Sequence, residues 1–374
     1  MDNRVKAAWL EENLKLKCKE FCNYTGVMIE CMTWNVNGMP PPSNGVFFDS
    51  PNCSTSDLVF IGLQEVSEQH VDAYVAYFTL LFNDKGLAFF CQSRMSGILL
   101  IGYCRTVYKD WIQYSASSQV PCGFMGYMGN KGGVGVKVRL WDSFLIVVNS
   151  HLAAHQDYTL KRNQDYRDIE SRMSFASAMD DDYNTDHNRK TAKTTEQALY
   201  EKLTRAWSDS TGVNAADAII WMGDLNYRLD ASRHKILGFV EREDYDGLLR
   251  YDQLLRVKSQ KTAFIGYTEP LITFPPTYKY DPGTRTFDSS PKARIPAYCD
   301  RILCKSRSID ISIEPTLYAS PDVFYSDHKP VVLHVKMQCR QIDRNLFSKQ
   351  YSCVLKQLDN LENDLIPDTE LIFD

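Results

Sequence analysis

The sequence predicts an α/β fold in which helices pack on a buried sheet core. Short apolar runs of strand length, rich in Val, Ile and Leu, recur from residue 27 onward. Helix-like stretches lie between them. The two kinds of segment interleave as far as residue 338 with no internal repeat, which is the pattern of layered α/β architecture.

Residues 5–22 read as an amphipathic helix packed on the body of the domain, because Leu10, Leu14, Cys18 and Phe21 recur at helical spacing with Lys and Glu between them. The strand-length runs are Val27–Trp34, Leu58–Leu63, Gly97–Tyr103, Gly133–Leu140, Phe144–Val148, Ala218–Met222, Ile302–Leu303 with its neighbours, and Val331–Val335. Helical patterns fall near 67–82, 158–178, 193–207 and 241–257. Asp180–Thr195 is polar and charge-mixed, as a surface excursion is. Residues 276–296 are rich in Pro, Gly and Ser, and basic. After Cys339, the spacing of Leu355, Leu358 and Leu361 predicts a helix followed by a loose end.

The 374 residues are 44% hydrophobic and 24% charged, ordinary globular usage that excludes a fibrous or wholly disordered chain. A net charge of −5 argues against a general nucleic-acid binder. The 11 cysteines are odd in number, scattered and never C-x-x-C, so we expect free thiols in a reducing cytoplasm. We expect no signal peptide and no lipid anchor, and no apolar run approaches the roughly 20 residues that span a bilayer.

The chemistry gathers at the ends of the apolar runs. One ends Thr33-Trp34-Asn35, one Leu63-Gln64-Glu65, one Val148-Asn149-Ser150-His151, and one Trp221-Met222-Gly223-Asp224-Leu225-Asn226. The last begins after Ser326-Asp327-His328. Polar groups at several strand ends suggest one site along a sheet edge. Glu65, Asp224, Asp327, Asn35 and Asn226 offer hard oxygen ligands that suit Mg²⁺ better than zinc. His151 and His328 are available as donors or acid/base groups. The pair His151 and His155 does not make a metalloprotease helix, because Leu152 stands where the glutamate belongs, and His155 reads as a packed or hydrogen-bonded histidine. No G-x-S-x-G, Cys-x₅-Arg or Walker loop supplies a competing nucleophile or nucleotide site. The simplest chemistry is metal-assisted attack of water on a phosphate ester without a covalent intermediate.

The strings GNKGGV (129–134), NSHLAAH (149–155), WMGDLNYRL (221–229), PAYCDRIL (296–303) and SDHKPV (326–331) resemble the inositol polyphosphate 5-phosphatases, of the DNase I-like endonuclease/exonuclease/phosphatase superfamily. The flanking KRNQDYRDI (161–169), PTYKYDPG (276–283) and LDNLENDLIP (358–367) resemble the type II, oculocerebrorenal (Lowe) phosphatase-like branch. In that branch an Ig-like ASH domain and a RhoGAP-like domain follow, and neither is expected before Asp374. The resemblance implies a four-layer α/β sandwich of two packed mixed sheets flanked by helices. It implies three parts: an N-terminal helix (1–26), the catalytic domain (27–338) and a C-terminal helical tail (339–374).

The resemblance also implies roles. Glu65, helped by Asn35, holds Mg²⁺ at the scissile phosphate; Asp224 orients and deprotonates water; Asn226 donates to phosphoryl oxygens. His328 stabilises developing charge and is oriented by Asp300, Asp327 supports the metal side, and His151 touches the 5-phosphate. Tyr278, Lys279, Lys292 and Arg294 grip a 4-phosphate, while Asn130 and Lys131 reach the 1-phosphate. The implied substrate is chiefly phosphatidylinositol 4,5-bisphosphate, with the 3,4,5-trisphosphate and soluble inositol 1,4,5-trisphosphate as further candidates. The implied setting is cytoplasmic, peripheral to a phosphoinositide-containing membrane, with no nucleic-acid partner.

Two readings stay open for Phe124, Met125, Tyr127 and Met128: a loop dipping into the bilayer interface, or one folded onto the core. Lys292 fits a solvated loop as well as a phosphate grip, and Gly132, Gly133 and Gly135 read as turn and strand glycines. Tyr298 replaces a common Trp, and Phe175–Asp217 is longer than in the relatives. A nuclease of the same fold and an inactive headgroup-binding module are the competing functions.

Overall fold

The computed structural model describes residues 2–42, 55–123, 131–175, 194–206, 211–308 and 310–364. Its strands are β1 (Cys22–Asn35), β2 (Leu58–Gln64), β3 (Leu87–Met95), β4 (Ile98–Arg105), β5 (Ile112–Pro121), β6 (Gly132–Leu140), β7 (Ser143–His151), β8 (Ala218–Asp224), β9 (Asp300–Ser306), β10 (Ile313–Ala319) and β11 (Val331–Ile342). Its helices are α1 (Asn3–Leu16), α2 (Val71–Asn83), α3 (Thr159–Arg172), α4 (Thr195–Ala206), α5 (Arg233–Glu241), α6 (Tyr245–Leu249), α7 (Gln253–Ser259) and α8 (Arg344–Asp364). One sheet runs β10-β11-β1-β2-β4-β3 and the other β5-β6-β7-β8-β9. Both are mixed: β1–β2 and β7–β8 are parallel, and the other neighbours are antiparallel.

Side-chain alternation explains why central strands read as unbroken apolar runs. In β1, Ile29 and Cys31 face the other sheet while Met32 and Trp34 face outward to the cluster around α2. In β7, Leu145 and Val147 enter the inter-sheet core while Ile146 and Val148 meet the outer layer of Tyr166, Ile169 and Phe264. Two packed mixed sheets with helical outer layers make the four-layer sandwich that the sequence predicts. Gly133 and Gly135 leave room on β6 for Ile169 and Met173; a Cβ at either position would lie within 2.9 Å of those side chains.

The structure moves several expected boundaries. The N-terminal helix stops at Leu16, a 3₁₀ turn spans Cys18–Glu20, and β1 starts at Cys22 instead of 27 because it pairs with β11 as far as Ile342. The 241–257 segment is two short helices, interrupted where Asp244 and Asp252 cap new N-termini, and α5 precedes them. Strands β3, β5 and β10 have no counterpart in the expected runs. All three are sheet edges, where one face is wet and an alternating or Ser- and Pro-containing sequence suffices. Helix α3 stops at Arg172 rather than near 178.

A satellite cluster joins Leu10, Leu14 and Phe21 to Leu199 of α4 and to Phe347, Tyr351 and Leu358 of α8. Lys6 and Glu362 form an ion pair there at 2.5 Å. Among the described residues the cysteines are unpaired, and no helix is long and apolar enough to cross a membrane.

A buried amide ties the two sheets together. The Asn149 amide on β7 donates to the carbonyls of Leu63 (3.0 Å) and Leu99 (2.9 Å) in the opposite sheet. Its oxygen accepts from Gln64 at 2.6 Å, and Gln64 also donates to Thr33. Gly62 makes the space, since a Cβ there would stand 2.8 Å from Asn149.

We predict that Asn149→Ala lowers stability by about 3 kcal/mol, because each buried partner left unpaired costs about 1–3 kcal/mol. Urea unfolding reads this as a lower midpoint at constant m-value; a midpoint equal to wild type would remove Asn149 as a fastener.

Candidate active site

Three neighbouring strands end in a row of ionisable groups. In the ladder of the second sheet, His151 of β7 lies opposite Asp224 of β8, and Asp224 opposite Asp300 of β9. Gly223 permits this approach: its φ is +143°, and a Cβ would stand 1.9 Å from the Ser150 carbonyl. The other sheet contributes Asn35 from the end of β1 and Glu65 just after β2. Asn35 Nδ2 donates to Asp224 Oδ2 at 3.0 Å, closing the site across the sandwich.

Glu65 and Asn226 are held at φ +55° and +56°, a left-handed backbone that costs on the order of 1 kcal/mol or more per non-glycine residue. The turn around Glu65 is fixed by Gly38 N–H donating to its carbonyl (2.8 Å) and Val66 N–H donating to Gly97. Asp224 Oδ1 accepts the Asn226 N–H at 3.1 Å.

His328 precedes β11 and is fixed on every side. Its Nδ1 lies 2.8 Å from Asp300 Oδ2, which also accepts from the Thr277 hydroxyl at 2.7 Å. Its carbonyl accepts from Trp34 Nε1, and its ring lies 4.7 Å from that of Tyr278. This leaves Nε2, 4.0 Å from Asp224 Oδ2, facing the site.

The charges around Asp224 fix one another. Burial alone raises its carboxyl, but His151, His328 and Lys131 outweigh this and hold it below the usual carboxylate range. Burial alone lowers the His328 imidazole, but Asp300, then Asp224 and Asp327, push it up to about 10. Burial and the Lys131 ammonium lower His151, whose Nε2 is 3.2 Å from Asp224 Oδ2. Lys131 is itself lowered by burial, against the pull of Asp224 and Glu65. It meets the same His151 nitrogen as Asp224 does, so that Nε2 serves only one of the two at a time.

The groups fit a hard divalent cation in one place. Glu65 is 36% exposed, accepts from no donor among the described residues, and lies 3.8 Å from His151 Nε2. Asn35 Oδ1 takes one N–H, from Asn37, and keeps a lone pair. Glu65 with Asn35 would therefore hold the ion. Asp224, Asp300 and His328 also converge within 4.8 Å, but Asp300 and His328 Nδ1 are already engaged with each other.

The structure brings Asn35, Glu65, His151, Asp224, Asn226, Asp300 and His328 together. It places Lys131, expected at the 1-phosphate, against His151. Asp327, expected on the metal side, has Oδ2 2.8 Å from Lys279 Nζ. Tyr278 abuts His328, and its hydroxyl accepts from Arg294 at 3.2 Å. Lys292 is exposed. Phe124, Met125, Tyr127, Met128 and Asn130 lie outside the described residues. His155 is exposed, with its ring edge-on to Tyr158, which corrects the packed expectation: its φ of +77° turns it away from the core. Tyr298 fills its buried place and donates to the Phe274 carbonyl at 3.0 Å.

Arg228 was not singled out from sequence. Its guanidinium donates to Asn226 Oδ1 (2.6 Å) and to the Asn226 carbonyl (3.1 Å) while lying 4.4 Å over the Tyr278 ring. The Asn226 Nδ2 donates to the Leu152 carbonyl, so one amide hydrogen remains for a ligand. The available signal was the place of Arg228 two residues beyond Asn226, which puts it within reach of that amide.

The model of endonuclease/exonuclease/phosphatase family 2 matches residues 32–334. The chain is 34% identical over 352 residues to the type II inositol 1,4,5-trisphosphate 5-phosphatase of Mus musculus, covering 91% of this chain and 32% of that protein. It is 27% identical over 380 residues to the phosphatidylinositol 4,5-bisphosphate 5-phosphatase INP51 of Saccharomyces cerevisiae, covering 95% and 36%. It therefore spans about a third of the length of these relatives. Among solved structures it is similar to the inositol polyphosphate 5-phosphatase domain of SpSynaptojanin in complex with inositol (1,4)-bisphosphate and calcium ion, with TM-score 0.77, 25% identity, and 96% and 98% of the two chains covered.

The raised His328 pKa gives a signed prediction. Charged His328 stabilises the fold fully below about pH 6.5, and this contribution is lost as pH rises through about 10. Asp300→Asn removes the main favourable partner, so the imidazole titrates at lower pH and the alkaline loss of stability begins earlier. NMR titration of the ring checks this; an unchanged midpoint would detach Asp300 from His328.

Proposed function

We propose that this chain, which belongs to endonuclease/exonuclease/phosphatase family 2, is a Mg²⁺-dependent inositol polyphosphate 5-phosphatase. Its expected substrates are phosphoinositides, chiefly the 4,5-bisphosphate, with the 3,4,5-trisphosphate and soluble inositol 1,4,5-trisphosphate as further candidates. The observation that carries the reading is the contact between chemistry and recognition: the catalytic His328 ring packs on Tyr278, whose hydroxyl and neighbour bring Arg294 and Lys279 beside it. The relatives named above for 5-phosphatase activity point the same way.

The chemistry follows from the charges. Asp224, ionised and buried, accepts a hydrogen bond from water and takes its proton as the oxygen bonds to phosphorus. His328, held charged by Asp300, donates Nε2–H to a phosphoryl oxygen, and the free hydrogen of the Asn226 amide donates to another. Arg228 sets the Asn226 amide the right way round. Neutral His151 and Lys131 close the opposite side. Mg²⁺, held by Glu65 and Asn35, would supply Lewis-acid polarisation of the phosphoryl group. The P–O bond to the ring carbon's oxygen breaks; that oxygen takes up a proton from solvent while Asp224 returns its proton to solvent, and the alcohol and inorganic phosphate leave.

We assign the enzyme to the cytoplasmic face of phosphoinositide-containing membranes, because its substrate headgroups lie there. Phe124, Met125, Tyr127 and Met128 are the proposed membrane contact.

Phosphate release from a panel of phosphoinositides and soluble inositol phosphates, with and without Mg²⁺, tests the proposal. Nicking of plasmid DNA with no release from the 4,5-bisphosphate would establish the nuclease reading instead. Asp224→Ala is expected to lower kcat by roughly 10²–10³-fold or more while headgroup binding persists; substantial residual turnover would remove it as the base. Arg228→Met is expected to lower kcat about tenfold or more with a smaller change in KM, since it loosens the orientation of Asn226; a pure KM effect would instead place Arg228 on the substrate. Arg294→Ala raises KM for 4,5-bisphosphorylated substrates, and an equal rise for substrates lacking the 4-phosphate would cancel its recognition role.

A further inference from the structure

The cations assigned to the 4-phosphate are not equivalent. The Lys279 ammonium is paired to the Asp327 carboxylate at 2.8 Å, with the carboxylate 9% and the lysine 28% exposed. The Arg294 guanidinium donates to a neutral group, the Tyr278 hydroxyl, and pairs with no carboxylate among the described residues. Asp327 is not free to withdraw. Its carbonyl accepts the Tyr280 N–H at 2.9 Å. Lys279, the residue before Tyr280, is anchored in turn, its carbonyl accepting the Asp288 N–H at 2.9 Å.

We infer that Asp327 is a specificity-determining residue: an internal carboxylate that competes with the ring phosphate next to the scissile one for Lys279, and so limits how tightly the product is held. The inference rests on the 5-phosphatase reading above. A 4-phosphate is present in the substrate and remains in the product, so attraction to it binds both alike and slows release. An ammonium already shared with a fixed carboxylate gives less to the incoming phosphate, and the carboxylate repels that phosphate. A ring with a neutral 4-hydroxyl leaves the Lys279–Asp327 pair untouched. The structure thus combines a committed cation, Lys279, with the uncommitted Arg294 and the exposed Lys292.

The test is calorimetric binding of inositol 1,4-bisphosphate, the product headgroup, which needs no turnover. Asp327→Asn is expected to tighten binding about tenfold, the scale of one charged hydrogen bond. The same substitution in a Lys279→Met background is expected to tighten binding by a smaller factor, because only the direct repulsion by the carboxylate is then removed; an equal gain in both backgrounds would overturn the competition for Lys279. Unaltered or weaker binding by an Asp327→Asn protein that melts like wild type would overturn the inference. Should that variant not fold, a second comparison decides: Lys279→Met must cost less product affinity than Arg294→Met, and an equal or larger cost overturns the inference. If wild type binds inositol 1,4-bisphosphate but these differences are missing, this inference alone falls. If wild type neither binds it nor releases phosphate from any 5-phosphorylated inositide, the parent reading falls with it.

Discussion

The arrangement of this molecule depends on one amide. Asn149 reaches from the second sheet to two main-chain carbonyls of the first, one at the end of β2 and one in β4. Hydrophobic burial between the sheets is strong but non-directional and leaves their mutual slide weakly specified. A polar group that must find buried partners has few acceptable registers. Gln64, which donates to Asn149, is followed at once by Glu65, and Asn149 is followed two residues later by His151. The fastener therefore places the two sheets' functional ends opposite each other, and Asn35 reaching Asp224 is the same registration read one step nearer the chemistry.

Burying this many ionisable groups is tolerable only because each is answered by another. Asp300 answers His328; His151 and Lys131 answer Asp224. Glu65 is the exception, half-exposed and without a donor among the described residues. Under the proposed function, Glu65 and Asn35 would receive the cation, while His328 Nε2 and the Asn226 amide face the space where an anion would sit.

Much of this was legible in the sequence, and for identifiable reasons. Strands buried on both faces betray themselves as apolar runs, so β1, β2, β7 and β8 were visible, and their polar ends pointed to Asn35, Glu65, His151 and Asp224. Edge strands carry no such run, so β3, β5 and β10 were not. The start of β1 was hidden because Cys22–Gly26 alternates wet and dry against β11, a pairing across the whole chain. The triad of Thr277, Asp300 and His328 needs three segments brought together; His328 stood out before the last apolar run, and only motif resemblance supplied Asp300. Arg228 and Asn149 act through hydrogen bonds to groups far away in sequence or to an amide's orientation, which composition and periodicity do not encode.

The pairing of the first strand with the last has a consequence for how this catalytic unit is wired to anything attached to it. Lys6 meets Glu362, so the outer ends of α1 and α8 lie side by side, and both helices join the sheet where Cys22 opens β1 and Ile342 closes β11, at the end of β1 opposite Asn35. A 14-residue strand is about 45 Å long. Cargo grafted at either terminus hangs from the pole remote from the reaction, and a circular permutant bridging those two neighbours would preserve every ladder that shapes the catalytic pole.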